Sequence, residues 1–147
     1  MFSYVDHRIA RYRARFMEDY LKRLDLNNPD AMYLVKINHK KQSKMSTIVA
    51  DAPFHKSHAT RAIARLTKRH LVEKKADPDD LRGFLVSITP EGEKIAFSVL
   101  EGFSAWDKLI KSMLTEKEQE DLQQIYQKIS MSLRQYFQED DPSEKDV

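Results

Sequence analysis

The stretch KSHATRAIARLTKRHLVEKKADPDDLRGFLVSIT, Lys56 to Thr89, decides how this chain folds. Its first half sets Ala59, Ile63 and Leu66 four and three residues apart, the recurrence that aligns side chains along one helix face. His58, Arg61, Arg65 and Lys68 fall elsewhere, so the helix is predicted to pack through an apolar stripe and to offer a cationic one. The second half changes period. Leu71 to Ala76 and Phe84 to Thr89 read as strands, joined by the polar, turn-rich run Asp77 to Gly83. A basic helix short enough for a major groove, followed by a hairpin with Arg82 beside Gly83 at its tip, is suited to duplex DNA.

The flanks read as helix. Tyr4, Ile9, Tyr12, Phe16, Tyr20, Leu21 and Leu24 recur at helical spacing among arginines. Asn28-Pro29-Asp30 supplies an N-cap, a proline at the first helical position and an early carboxylate for a second helix. Ser43 is expected to open a short helix carrying Met45, Ile48 and Val49, which Pro53 ends by removing a backbone donor. The cationic helix then begins near His55 or Ser57. Thr89-Pro90 restarts helix from about Glu91 to Met113, and Thr115 with Glu118 forms a capping box for the last one. There Leu122, Ile125, Tyr126, Ile129, Leu133, Tyr136 and Phe137 make a stripe too apolar for a lone helix in water.

At 147 residues the chain suits one cooperative domain. Three glycines and 33% charged residues favour long solvated helices over loops. No apolar run approaches the roughly 20 residues that span a bilayer, and the N-terminus lacks a signal-peptide stretch, so a cytoplasmic protein is expected. With no cysteine, disulfides, thiolate metal sites and thiol redox sensing are excluded. The net charge of +2 hides a division along the chain. Residues 36–82 hold twelve Lys/Arg against five Asp/Glu, whereas residues 93–147 hold seven against twelve. A basic block between acidic helices fits an electrostatic footprint for phosphates, and equally a solvated surface.

Together these elements resemble the MarR family of dimeric winged-helix transcription factors over nearly the whole chain. The likeness is carried by Thr60-Arg61, Leu66, Leu71-Val72, Asp77-Pro78-Asp79-Asp80-Leu81-Arg82, Leu85-Val86, and Ile88 before Thr89-Pro90-Glu91-Gly92. Three positions depart from the family pattern: His70 and Pro53 stand where glycine is usual, and Leu81 replaces the first of two wing arginines. The implied fold is mostly α with a small β-hairpin wing, a winged helix-turn-helix flanked by N- and C-terminal dimerisation helices. The expectation is one domain over residues 1–139, its DNA-binding part at about 28–89 and its dimerisation helices at about 2–24 and 91–139. Residues 140–147 are expected to be a disordered acidic tail.

Ser57, His58, Thr60 and Arg61 are the candidates for base edges, and Arg61 can bridge guanine O6 and N7 or instead touch phosphate or pair within the protein. Lys56, Arg65 and Lys68 are candidates for phosphate contacts. The resemblance puts Arg82 in the minor groove, with Asp80 orienting it. It also makes Phe2, Tyr4, Tyr12, Phe16, Leu133, Tyr136 and Phe137 dimerisation candidates, facing a pseudo-palindromic operator. Relatives bind small aromatic ligands between dimer helices and winged domain, which offers Tyr33, Phe103 and Trp106 for an effector pocket or for ordinary packing. His55 and His58 lie three apart, but no carboxylate is spaced to complete a metal site, and no metal or cofactor is expected.

The expected function is a homodimeric repressor of transcription. The alternatives are a winged-helix protein-interaction module and an activator or architectural DNA-binding protein. An enzyme is disfavoured by the lack of a Gly-rich phosphate loop, a His-Glu-X-X-His pattern or a nucleophile elbow.

Overall fold

The computed structural model describes residues 2–50 and 56–138, Phe2 by its backbone alone. The expectations for Pro53, His55, the Phe2 side chain and the tail from 140 to 147 lie outside the described residues. The elements run α1 (Phe2–Arg23), α2 (Asn28–Lys40), β1 (Gln42–Lys44), α3 (Met45–Ala50), α4 (Lys56–Lys68), β2 (Val72–Asp77), β3 (Asp80–Ile88), α5 (Pro90–Ser112) and α6 (Glu116–Phe137). The chain divides into two compact units, Met1–Trp106 and Asp107–Val147.

In the first unit the three strands form an antiparallel sheet in the order β1-β3-β2, with Ser43 opposite Val86 and Lys74 on the other side of the same residue. Two expectations are corrected here. Ser43 lies in β1 instead of capping a helix, because the free edge of β3 offers its segment a backbone partner. The hairpin is also tighter than the polar run predicts: Asp77 pairs with Asp80, leaving Pro78-Asp79 between them. Asp77 closes that turn by accepting the Asp79 amide on Oδ1 at 2.9 Å, a local bond that makes an extended loop unnecessary. A smaller shift concerns α2, whose N-cap is Asn27, one residue before the predicted Asn28; its side chain accepts from the Asp30 amide at 2.8 Å.

The main core gathers Leu34 and Ile37 of α2, Ile48 of α3, Ile63 and Leu66 of α4, Val72 and Val86 of the sheet, and Ala96 of α5. Burying one such side chain contributes roughly 1.5–3 kcal/mol. A second cluster joins Met17 and Leu21 of α1 to Ala31 and Val99, with Phe16 and Phe103 at its margin. Thr89 holds α5 to the end of α4: its hydroxyl reaches the His70 carbonyl at 2.7 Å and accepts the Gly92 amide at 2.9 Å. Gly92 is required by approach, since a Cβ there would lie 1.9 Å from the Leu71 carbonyl oxygen.

Helix α4 ends as a Schellman motif, with His70 N–H donating to Thr67 O and Leu71 N–H to Leu66 O, both at 3.0 Å. His70 therefore takes φ 56°, the left-handed conformation that glycine adopts at no steric cost. Helix α1 ends the same way around Asp25, φ 51°.

In the second unit α6 opens with the predicted capping box, Thr115 and Glu118 each bonding the other's backbone amide. Those bonds hold the Glu118 carboxyl below its ordinary range. No residue of α6 is buried.

Candidate nucleic-acid interface

Helix α4 has three kinds of surface. Ala59, Ala62, Ile63 and Leu66 are at most 1% exposed and anchor it in the core. Opposite them, Ser57, Arg61, Ala64 and Lys68 recur at four, three and four residues on the outer face. Arg61 and Lys68 are exposed, and neither enters an ion pair among the described residues. Lys56, His58 and Thr60 are exposed as well, and the Thr60 hydroxyl donates back to the Lys56 carbonyl at 3.3 Å.

The third surface is the flank toward α2, where two arginines are committed inward. Arg65 grips the Asp30 carboxylate with both arms, Nε to Oδ2 at 2.8 Å and Nη2 to Oδ1 at 2.6 Å. Its hydrogen bonds to Asp30 raise the Arg65 pKa above its ordinary value. The Asp30 side chain is 6% exposed against 48% for Arg65, so the pair is solvated from one side. One turn on, Arg69 donates to the carbonyls of Leu24 and Asp25 at the C-terminal end of α1. Neither partner of these arginines was legible locally. Asp30 reads in sequence only as a carboxylate in a first helical turn, and the residues that meet lie 35 and 44 or more positions apart.

On the wing, Asp77 is buried and Lys44 of β1 approaches its Oδ2 at 3.5 Å, tying the hairpin turn to the opposite edge strand. Asp80 does not reach the Arg82 guanidinium: its Oδ1 accepts the Arg82 backbone amide at 3.0 Å, and no ion pair involves Arg82 among the described residues. Gly83 leaves room for that carboxylate, since a Cβ there would come within 2.9 Å of Asp80 Oδ2. Leu81 is fully exposed at the tip, and Lys74 lies over the Phe84 ring at 4.2 Å.

Tyr33, Phe103 and Trp106 fall in different packing groups. Tyr33 belongs to the main core, where burial raises its pKa, and borders a cavity of about 20 Å³ with Lys36, Ile37, Lys40, Ser43, Thr47 and Ile48. That space suits one water, not an aromatic molecule. Phe103 sits at the second cluster, and Trp106 meets Phe16 at 5.5 Å. An open groove of about 1,110 Å³ runs instead along α1, the α1–α2 turn and α4, bordered by Arg11, Arg15, Asp30, Arg65 and Arg69 among others.

Among the dimerisation candidates, Tyr4, Tyr12, Leu133, Tyr136 and Phe137 are 46–78% exposed, whereas Phe16 already packs on Tyr20 and Trp106. Among the described residues, no group of three or more His, Asp or Glu could hold a metal ion, and no helix is long and apolar enough to cross a membrane.

Residues 26–92 match the model of the Winged helix DNA-binding domain family. The HTH-type transcriptional regulator BilQ of Clostridioides difficile (strain CD3) is 29% identical over 120 residues, which cover 82% of this chain and 81% of that protein. A crystal structure of MarR superposes with a TM-score of 0.86 at 20% identity, covering 95% of both chains. A variant of MarR from E. coli in complex with operator DNA gives 0.74 at 22% identity, over 86% of this chain and 91% of that one. At these identities the structural likeness establishes a shared fold.

Proposed function

We propose that this chain is a winged helix DNA-binding regulator of the MarR type and that it acts as a homodimeric cytoplasmic repressor on a pseudo-palindromic operator. The observation that carries this reading is the division of α4: an inner face buried in the core and an outer face presenting exposed Arg61 and Lys68 without intraprotein ion pairs among the described residues. A helix anchored in that way offers its cations to a partner at a set angle. Arg61 is assigned to a base edge, where a bidentate contact to guanine is worth roughly 1–3 kcal/mol of discrimination. Lys56 and Lys68 are assigned to phosphates, and Arg82 on the wing to the adjacent minor groove.

Two-fold symmetry would set the recognition helices about one DNA turn apart, roughly 34–36 Å, and occupancy of such a site blocks a promoter by position alone. The exposed apolar stripes of α1 and α6 support self-association. Selection from a randomised duplex pool, run in parallel with Arg61→Ala, tests the proposal. A two-fold symmetric site that the variant reads about 10- to 100-fold less selectively is the expected result. Salt-sensitive retention with no enriched sequence would leave only nonspecific affinity, and no retention would favour a protein partner.

A further inference from the structure

Five cations lie on α4 or at its end, yet they are not equivalent. Arg65 and Arg69 already have partners inside the protein, and both partners belong to the segments that α4 crosses. The Asp30–Arg65 contact is bidentate and nearly closed to water on the carboxylate side, which gives it geometric specificity as well as attraction. Asp30 is itself held, because its backbone amide is bound by the Asn27 cap. Arg69 places positive charge on the carbonyls where α1 ends, the end of a helix that favours cations. The flank of α4 is thus fastened at two successive turns.

We propose that Asp30, Arg65 and Arg69 are positioning residues of the DNA interface: they fix the angle at which α4 presents Arg61 and Lys68, and Arg65 does not serve as a phosphate contact. The inference rests on the DNA-binding reading above and reverses the role that its sequence position assigns to Arg65. A guanidinium already neutralised by a carboxylate releases little net counterion when a phosphate approaches. Its contribution to binding is therefore orientation, which shows as selectivity and leaves the salt dependence alone.

Asp30→Asn separates the two roles by sign. The variant keeps every α4 cation and frees the charge of Arg65. Were Arg65 a phosphate contact, the variant would bind duplex more tightly and with a steeper dependence on salt. As a positioning residue, its loss of Asp30 lowers the preference for the selected site over random duplex by about tenfold, with the slope of log K against log salt unchanged. Arg65→Gln gives the same loss of preference with the same slope, whereas removal of a phosphate contact would flatten the slope by about 0.9 per protomer. The double variant Asp30→Asn/Arg65→Gln is no worse than either single one, and it restores the measurement if a lone unpaired partner prevents folding. Preserved selectivity in folded Asp30→Asn, or a flattened slope in Arg65→Gln, overturns the positioning role while DNA binding stands. Failure of the unaltered protein to bind duplex overturns both.

Discussion

Helices α4 and α6 carry the same kind of amphipathic stripe and end in opposite states. Along α4, Ala59, Ala62, Ile63 and Leu66 are closed to solvent; along α6, Ile125, Ile129 and Leu133 remain 48–54% exposed. Periodicity says that a face must be covered, but it does not say by what. For α4 the cover comes from α2, α3 and the sheet within the same unit. For α6, a 22-residue helix with no buried residue, the proposed cover is a second copy of the chain. The same contrast runs through the charges: on α4 Arg61 points away from the core, while Arg65, four residues later, is consumed by Asp30.

Deleting one leucine from each stripe breaks or sharpens this contrast most. Leu66→Ala should cost about 2–5 kcal/mol in urea unfolding, the range for a buried leucine whose site cannot collapse. Leu133→Ala should express its loss as weaker self-association, a tenfold rise in the dissociation constant for each ~1.4 kcal/mol, read by sedimentation equilibrium. A monomeric unaltered protein at micromolar concentration would remove the partner assigned to α6.

A smaller effect is expected at the start of α6, which relies on local capping instead of burial. Thr115→Ala should cost about 1 kcal/mol, seen as faster amide exchange in the first turn of that helix. The Glu118 carboxyl is held below its ordinary range by the Thr115 bonds, so its contribution is present above that range and lost as pH falls through the lowered pKa. Glu118→Gln should abolish this acid dependence of exchange; a profile unchanged from the unaltered protein would refute the capping role.

The smallest change expected is at His70. A left-handed conformation costs a residue with a Cβ roughly 1–2 kcal/mol; glycine removes that strain, but its more flexible unfolded chain offsets part of the gain. His70→Gly should therefore stabilise the protein by about 0.5–1 kcal/mol in thermal unfolding. A loss would mean that the imidazole contributes more than the backbone strain removes.

Much of the architecture was legible because it is written at short range. The buried positions of α4, the Thr115–Glu118 box and the Thr89 hydroxyl beneath α5 follow from spacings of three and four residues. Glu118 and Thr115 need no third element to find each other. The strand at Gln42–Lys44 was not legible, since three polar-flanked residues become a strand only when β3 lies alongside. The tightness of the wing turn had a local signal in Asp77-Pro78-Asp79, which the general polarity of the run concealed.

The sequence alone determined the helical periodicities, the caps at Thr89 and Thr115, the presence of the hairpin and the concentration of positive charge between residues 36 and 82, because each depends on neighbours along the chain. Only the tertiary structure decided which of those charges remain available. Arg61 and Arg65 have the same chemistry and near-equal helical placement, and their difference arises from a carboxylate 35 residues upstream of Arg65 that folding brings to within 2.8 Å of it. Such a choice belongs to packing, where distance in space replaces distance along the chain.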